Sequence, residues 1–552
     1  MSESGDPPAP SGPAEAPTVP PAPEGTGAGR GVLYIAFAKF YFMFAGLFVQ
    51  VQLPAILSRA AFGSYSLVAS VASFANNIVV MGTIQTVSRF AAQDPAKARL
   101  VQQAGLRMHV RVGLPISIAF VVLAPLMFWL FTRDASKTAP LMLAGLIVGG
   151  NAFYAVFVGT ANGLRQFNKQ AGLDITFATL RAAGLIGMAM AGLGVLGVIG
   201  GWLAALGLIL CAAIVWVGLP RTTTTERMPV RPLVRYFISV ALYLTLFNAL
   251  MFVDTILIKR FTTIYFDDHA RQLAASLEPV PWLTRVTGYH PESSVLADVQ
   301  IAYYAAVQNL ARLSYQAIIA ATFVVFPLVS RSTFTEDKET TRGYIRVTSR
   351  YSLIFAMAIA VVFAANPSDV LGLVYAEDYV QHGATALIPL ALGNVAFSVF
   401  AINGTILNGA GLTRQAIGIA AVTLGLAVVG NWIAIPLAIE HGQVLEVAAS
   451  VTAGAMVVGA ITSGWLLHRR LGAFVPLASV LRIAIATGAA IAVGRLLPLH
   501  GKLMTLVEAV VVGATFLVAL IATRELGRRD LQAIKAIRKK RAPAADQGEP
   551  EP

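Results

Sequence analysis

The chain has 552 residues, of which 56% are hydrophobic and only 12% charged, and its mean hydropathy is +0.70. Soluble domains carry roughly 45 to 50% apolar and about 25% charged residues, so a soluble globular protein is excluded. The net charge of +13 belongs to Lys and Arg residues set in the connections between apolar runs, the bias of cytoplasmic loops and not of a nucleic-acid surface. One cysteine, Cys211, lies within an apolar run, which leaves neither a disulfide framework nor a cysteine metal cluster.

Residues 1–29 hold eight prolines and four acids with no basic residue, a composition that cannot bury a core and reads as a disordered tail. From Val32 onward fourteen apolar segments follow, centred near residues 42, 74, 120, 150, 183, 208, 246, 314, 360, 395, 425, 456, 486 and 513. They predict an all-α integral membrane protein of about 14 transmembrane helices. The organisation expected is six spans in 30–220, six in 221–470 with an outside loop over 261–298, two more in 471–525, and a basic tail from 526 to 552. Arg221, Arg227, Arg231 and Arg235 precede span seven, and a basic run extends from Arg524 to Arg541. Both termini are therefore expected on the cytoplasmic side, with these cations as anchors or as contacts for anionic lipid.

An internal repeat accompanies this count. Asn162-Gly163 precedes Lys169-Gln170-Ala171 after span four, and Asn408-Gly409 precedes Arg414-Gln415-Ala416 after span ten. Phe62-Gly63-Ser64-Tyr65 opening span two corresponds loosely to Ile301-Ala302-Tyr303-Tyr304 opening span eight. An even repeat of six spans implies two parallel lobes related by an axis along the membrane normal, with spans thirteen and fourteen as an appendage.

No phosphate-cradling G-x-x-x-x-G-K-[ST] loop occurs, so the chain has no ATP site of that kind. Gly192, Gly194 and Gly197 imitate a dinucleotide fingerprint but lie in an apolar turn between spans, and the sequon at Asn403 falls inside span ten. The informative residues are ionisable groups at membrane depth, each costing at least about 2.5 kcal/mol unless it faces an interior or a watery cavity. Arg312 in span eight and Arg181 in span five lie roughly 15 Å from the interface by helical rise. Lys39 in span one is close enough to the cytoplasmic surface either to snorkel or to line a cavity. Tyr304, Gln308, Arg312 and Gln316 recur every four residues on one face, and Ser66, Ser70, Ser73 and Asn77 form a matching polar face on span two. Those small polar groups also suit interhelical hydrogen bonding. A buried guanidinium invites an anion such as phosphate, which its planar fork grips in two places. Asp254 in span seven is a site for a coupling proton or sodium ion, or else an interfacial partner of Lys259 or Arg260. Asp267, Asp268 and His269 are adjacent and read as a solvated loop, not a metal site.

The run Phe62-Gly63-Ser64-Tyr65, then Gly82 and Gln85-Thr86-Val87-Ser88-Arg89-Phe90, resembles the opening of polysaccharide flippases in the multidrug/oligosaccharidyl-lipid/polysaccharide exporter superfamily. Asn408-Gly409 with Gly411 and Arg414, and Asp254 ahead of Tyr303 to Ala306, are similar to later parts of the same pattern, which covers residues 31 to 525. The resemblance implies two six-helix lobes around a central cavity exposed alternately to each side, and transport of lipid-linked sugar units outward. It departs from the pattern in the long segment 261–298 and in lacking the basic signature of peptidoglycan-precursor flippases around span one.

The resulting expectation is a bacterial inner-membrane flippase, not an enzyme, for a polyprenyl-pyrophosphate-linked oligosaccharide of surface or exopolysaccharide assembly. Its substrate site would comprise Arg312, Lys39, Arg181, Gln308, Gln316, Tyr304 and Asn77, with Asp254 for ion coupling by H+ or Na+. No metal, other cofactor or nucleic acid is expected, and the partners are membrane lipids and a polysaccharide polymerase complex. The competing readings are a lipid II flippase, an ion-coupled drug exporter, and a membrane polymerase or ligase using Asp267, Asp268 or His290.

Overall fold

The computed structural model describes residues 27–132, 134, 136–220, 227–277, 291–315, 338–497 and 501–527. Among them, thirteen helical segments are long and apolar enough to cross a membrane, and none of the described residues forms a strand. Lipid offers backbone amides and carbonyls no partner, so chains of this hydropathy satisfy them within helices. The expected eighth span, centred near residue 314, passes out of the described residues after 315.

The first lobe comprises α1 (Gly27–Ile56), α2 (Arg59–Gln93), α3 (Ala98–Met108), α4 (Leu114–Thr132), α5 (Thr138–Gly163), α6 (Phe167–Met190) and α7 (Gly194–Val217). A π-turn, His109–Gly113, joins α3 and α4 into one span. The second lobe comprises α8 (Arg231–Ala249), α9 (Val253–Leu277), α10 (Pro291–Ala311), α11 (Lys338–Ala365), the short α12 (Pro367–Val374), α13 (Glu377–Gly409), α14 (Thr413–Ile439) and α15 (Val444–Leu471). The appended hairpin of α16 (Leu477–Leu496) and α17 (Lys502–Ala522) packs on α11 and α12. Ile483, Ala486, Val512 and Phe516 meet Ile354, Val361 and Ala365 there.

Pairings in the first lobe recur in the second. α2 packs on α5, α6 on α7, α1 on α6 and α5 on α7; α10 packs on α13, α14 on α15, α8 and α9 on α14, and α13 on α15. The connections repeat bond for bond. Leu164, Arg165 and Gln166 donate backbone N–H to the carbonyls of Thr160, Asn162 and Ala161, and Ala410, Gly411 and Leu412 donate to Ile406, Asn408 and Leu407. The third position bonds at 2.8 Å in both. The middle position is left-handed in each, Arg165 at φ 55° and Gly411 at φ 78°, so the first lobe tolerates there what glycine accommodates in the second. The Gly192 turn has the same counterpart at Gly442, with φ of 72° and 69°.

Of the expected outside loop 261–298, residues 261–277 and 291–298 are helical. α9 carries the helix on to Leu277, because Phe261, Thr262, Ile264, Tyr265 and Phe266 extend the helical pattern beyond the basic pair that reads as a span end, and residues 291–298 belong to α10. The lobes meet along a seam in which α2 packs on α8 and α10, and α4 on α9. α1 begins and α17 finishes at one end of the bundle, the terminal face.

Candidate functional site

Span seven is broken. α8 stops at Ala249, and Met251 and Phe252 close tight turns onto the Asn248 and Ala249 carbonyls before α9 starts at Val253. An interrupted membrane helix leaves backbone carbonyls and a half-helix N-terminus to be satisfied from outside its own ladder. Arg312 supplies one partner, donating from Nη2 to the Met251 carbonyl at 2.7 Å and to Gln308 Oε1 at 3.0 Å, with its guanidinium 4.9 Å from the centre of the Phe252 ring.

Asp254 begins the second half of that span and is buried. Its Oδ2 accepts from the Tyr304 hydroxyl at 2.6 Å; its Oδ1 accepts from Gln308 Nε2 at 3.2 Å and from the Thr255 amide at 2.7 Å. One Gln308 amide thus donates to the carboxylate and accepts from the guanidinium. Opposite charges are joined through a neutral relay instead of a direct ion pair, and the hydrogen bonds offset the desolvation that burying a carboxylate costs. The alternative pairing of Asp254 with Lys259 or Arg260 is not what the structure forms.

The other expected residues lie elsewhere. Lys39 neither snorkels nor stands free: Nζ is 2.7 Å from Asp174 Oδ2, tying α1 to α6 beside a Tyr41–Thr179 hydroxyl contact of 2.8 Å. Arg181 lays its guanidinium 4.3 Å from the Trp202 ring centre and faces the buried Tyr65 hydroxyl. Asn77 donates to Asn248 Oδ1 at 3.1 Å across the seam. Gln316 lies outside the described residues, as does His290. Of the expected site, Tyr304, Gln308, Arg312 and Asp254 come together, while Lys39, Arg181 and Asn77 hold three separate positions. Asn403 is buried within α13, donating to Ser463 at 2.9 Å, which places its sequon out of reach of glycosylation. Asp267, Asp268 and His269 continue α9, and no group of three His, Cys, Asp or Glu among the described residues could hold a metal ion.

Two groupings escape a sequence reading. His109, on the π-turn, is buried with Nε2 2.8 Å from Thr83 Oγ1. Thr83 spends its single proton on the Val79 carbonyl at 2.6 Å, so the imidazole donates through Nε2 and Nδ1 carries the lone pair. Its ring stands edge-on to Phe153 and to Phe237 across the seam.

The second, among the described residues, is a buried cluster of four charges at the face opposite the termini. Lys259 Nζ lies 2.7 Å from Asp298 and 3.1 Å from Asp134, and Lys137 Nζ lies 2.7 Å from Asp298 and 3.2 Å from Asp134. None of the four side chains is more than 7% exposed. Ser294 adds a 2.5 Å hydrogen bond to Asp134 and accepts from Lys259 at 3.1 Å. Burial alone would raise the Asp134 carboxyl, but the Lys259 and Lys137 ammoniums and two serine hydrogen bonds hold it well below the ordinary carboxylate range. Burial likewise works against the Lys137 charge, and Asp298 and Asp134 override it, raising the ammonium above its usual value. The signal available in the sequence was Lys259 and Asp298 themselves, on the margins of the segment read as a loop.

Residues 53–265 match the family model described as polysaccharide biosynthesis protein. Among solved structures, the lipid II flippase MurJ in an inward closed conformation shares the fold with a TM-score of 0.68 at 12% identity, over 89% of this chain and 99% of that one. A multidrug resistance MATE family transporter of the MOP superfamily, in an outward-facing conformation, aligns with a TM-score of 0.55 at 14% identity, over 81% of this chain and 96% of that one. A MATE protein in complex with MaL6 gives 0.55 at 13% identity with the same coverage. At these identities the likeness is one of fold. No curated protein matches the chain.

Proposed function

From a multi-pass membrane chain that carries the polysaccharide biosynthesis pattern over residues 53–265 and folds like MurJ and MATE transporters, we propose a flippase for polyprenyl-pyrophosphate-linked oligosaccharides. A sugar headgroup bearing a pyrophosphate cannot cross hydrocarbon unaided, so a protein must offer it a polar path while the polyprenyl tail stays in lipid. The observation that carries this reading is Arg312, a guanidinium held at the break in span seven by a carbonyl and a neutral amide. Such a cation keeps charge to spend on a diphosphate, and exchange of the Gln308 relay for phosphate oxygens leaves its geometry intact. Asp254, one amide away, is the group through which a coupling proton or sodium ion acts on the same arginine. Lys39, Arg181, Asn77 and Gln316 contribute to the substrate path as the lobes rock. By the distribution of basic residues the terminal face is cytoplasmic, and the membrane is the bacterial inner membrane.

Arg312→Ala is expected to abolish polysaccharide export in a strain dependent on this chain while the protein remains in the membrane at normal abundance; Arg312→Lys keeps the charge but loses the fork and restores only part. Undiminished export by Arg312→Ala would remove that residue from the mechanism. A second reading is favoured by the coverage of 99% of the MurJ chain: movement of lipid II. Flipping assays with lipid II and with a polyprenyl-pyrophosphate oligosaccharide in the same proteoliposomes separate the two.

A further inference from the structure

The buried charge cluster sits on the seam and divides between the lobes in a particular way. Asp134 and Lys137 belong to the connection between α4 and α5, on the first lobe; Lys259 stands on α9, and Ser294 and Asp298 on α10, on the second. Each acid contacts an ammonium of its own lobe and one of the other. Parting the lobes therefore exposes two intact ion pairs, Asp134 with Lys137 and Lys259 with Asp298, instead of four naked charges.

That partition suits a contact made and broken repeatedly. Buried ion pairs stand close to balance between desolvation cost and mutual attraction, so wetting the separated halves returns most of what separation takes away. An apolar seam of the same area would resist water instead. The same end of the seam carries the Arg59–Asp378 ion pair and the Arg260 hydrogen bond to the Leu130 carbonyl at 2.9 Å, both between lobes. Toward the terminal face the seam is held differently, by the Asn77–Asn248 amide contact, by Phe237 against Gly82, and by Arg89 over the Tyr236 ring at 4.4 Å.

The geometry points to the Asp134, Lys137, Lys259 and Asp298 cluster as a latch that holds the lobes together at the face opposite the termini and releases when that face opens. This rests on the reading of the chain as a transporter whose lobes open alternately, and not on the identity of its substrate.

The test uses the full chain in lipid nanodiscs, with Cys211→Ala and spin labels at Ala139→Cys and Val295→Cys, exposed positions on the two sides of the latch. Lys259→Met removes one positive charge that contacts both acids, so closure buries one more uncompensated negative charge than before; the long-distance population should rise by roughly fivefold or more over the unaltered network. Lys137→Met with Asp298→Leu removes one charge of each sign and leaves an apolar contact, so the long-distance population should fall. A cluster that only supports the fold would lower the melting temperature and leave both distance distributions on that of the unaltered network, which would overturn the latch. Should Lys259→Met not fold, the charge-balanced double variant decides alone: a shift toward short distances supports the latch, and no shift overturns it. The labels need no substrate, so a failed flipping assay and a failed latch are read separately.

Discussion

Asp254 accepts from four donors, the Tyr304 hydroxyl, the Gln308 amide and the Thr255 amide and hydroxyl, and Tyr304 makes the shortest of these bonds. Tyr304→Phe removes that donor without changing shape, so it is expected to destabilise the protein by about 1 to 3 kcal/mol, the usual cost of leaving a buried acceptor unsatisfied, as read from thermal denaturation in detergent. Asp254→Asn keeps the shape and removes the charge. The expected result is a folded protein whose transport no longer follows an imposed proton or sodium gradient in proteoliposomes. The Lys39–Asp174 pair, with lysine 31% exposed, is a different case: Lys39→Met should change stability by no more than about 1 kcal/mol, so a transport defect there would reflect function. Arg312, Gln308 and Tyr304 were legible in the sequence because one helix places them on one face. The alternative pairing of Asp254 with Lys259 does not form, since five helical steps turn a side chain roughly 140° around the axis and send the lysine to Asp134 and Asp298. Lys39 was visible, but only the packing of α1 on α6 brings it to Asp174.

Helix α2 is the element on which the seam depends, since it touches the second lobe along most of its length. Gly63 permits its closest approach: a first side-chain carbon there would collide with the Asp298 carbonyl on α10. Gly63→Ala is therefore expected to cost about 1 to 3 kcal/mol through overpacking and to disturb the charged cluster beside it. Gly207→Ala on α7 meets nothing within 4 Å and should be neutral or mildly stabilising, a control measured in the same melting experiment. The spans themselves were readable because lipid makes apolar length a sufficient signal. The continuation of α9 past Arg260 was not, because beyond the bilayer its amphipathic pattern competes with the acids and histidine that read as loop. The π-turn at His109 has no periodic signature at all; it arises where an extra residue is absorbed to seat an imidazole between three helices.

Across the two lobes together, the charged seam sets how the protein answers pH. The Asp134 carboxyl is depressed in the fold, so its contribution is full above the unfolded value of about 3.9 and is lost as pH falls toward the folded one. The Lys137 ammonium is raised, so its contribution is full below about 10.4 and is lost as pH rises through the folded value. The melting-temperature difference between the unaltered chain and Asp134→Asn should therefore stay constant from about pH 5 to 9 and shrink only in more acidic buffer. The duplicated architecture was legible in its short repeated motifs, whereas the charged seam was not, because Lys137 and Asp298 lie 161 residues apart in the chain and only the docking of two halves brings them together.

The terminal hairpin rests on α11 and α12, and Glu525 just beyond it binds both Arg350 of α11 and Arg482 of α16. It is thus fastened to one half of the molecule, like an outrigger on a single hull. A fluorophore or fusion partner attached past residue 527 would report the swing of that half against a reference placed on α7. Shortening the chain to 476 should then change the reporter's position without loosening either six-helix half.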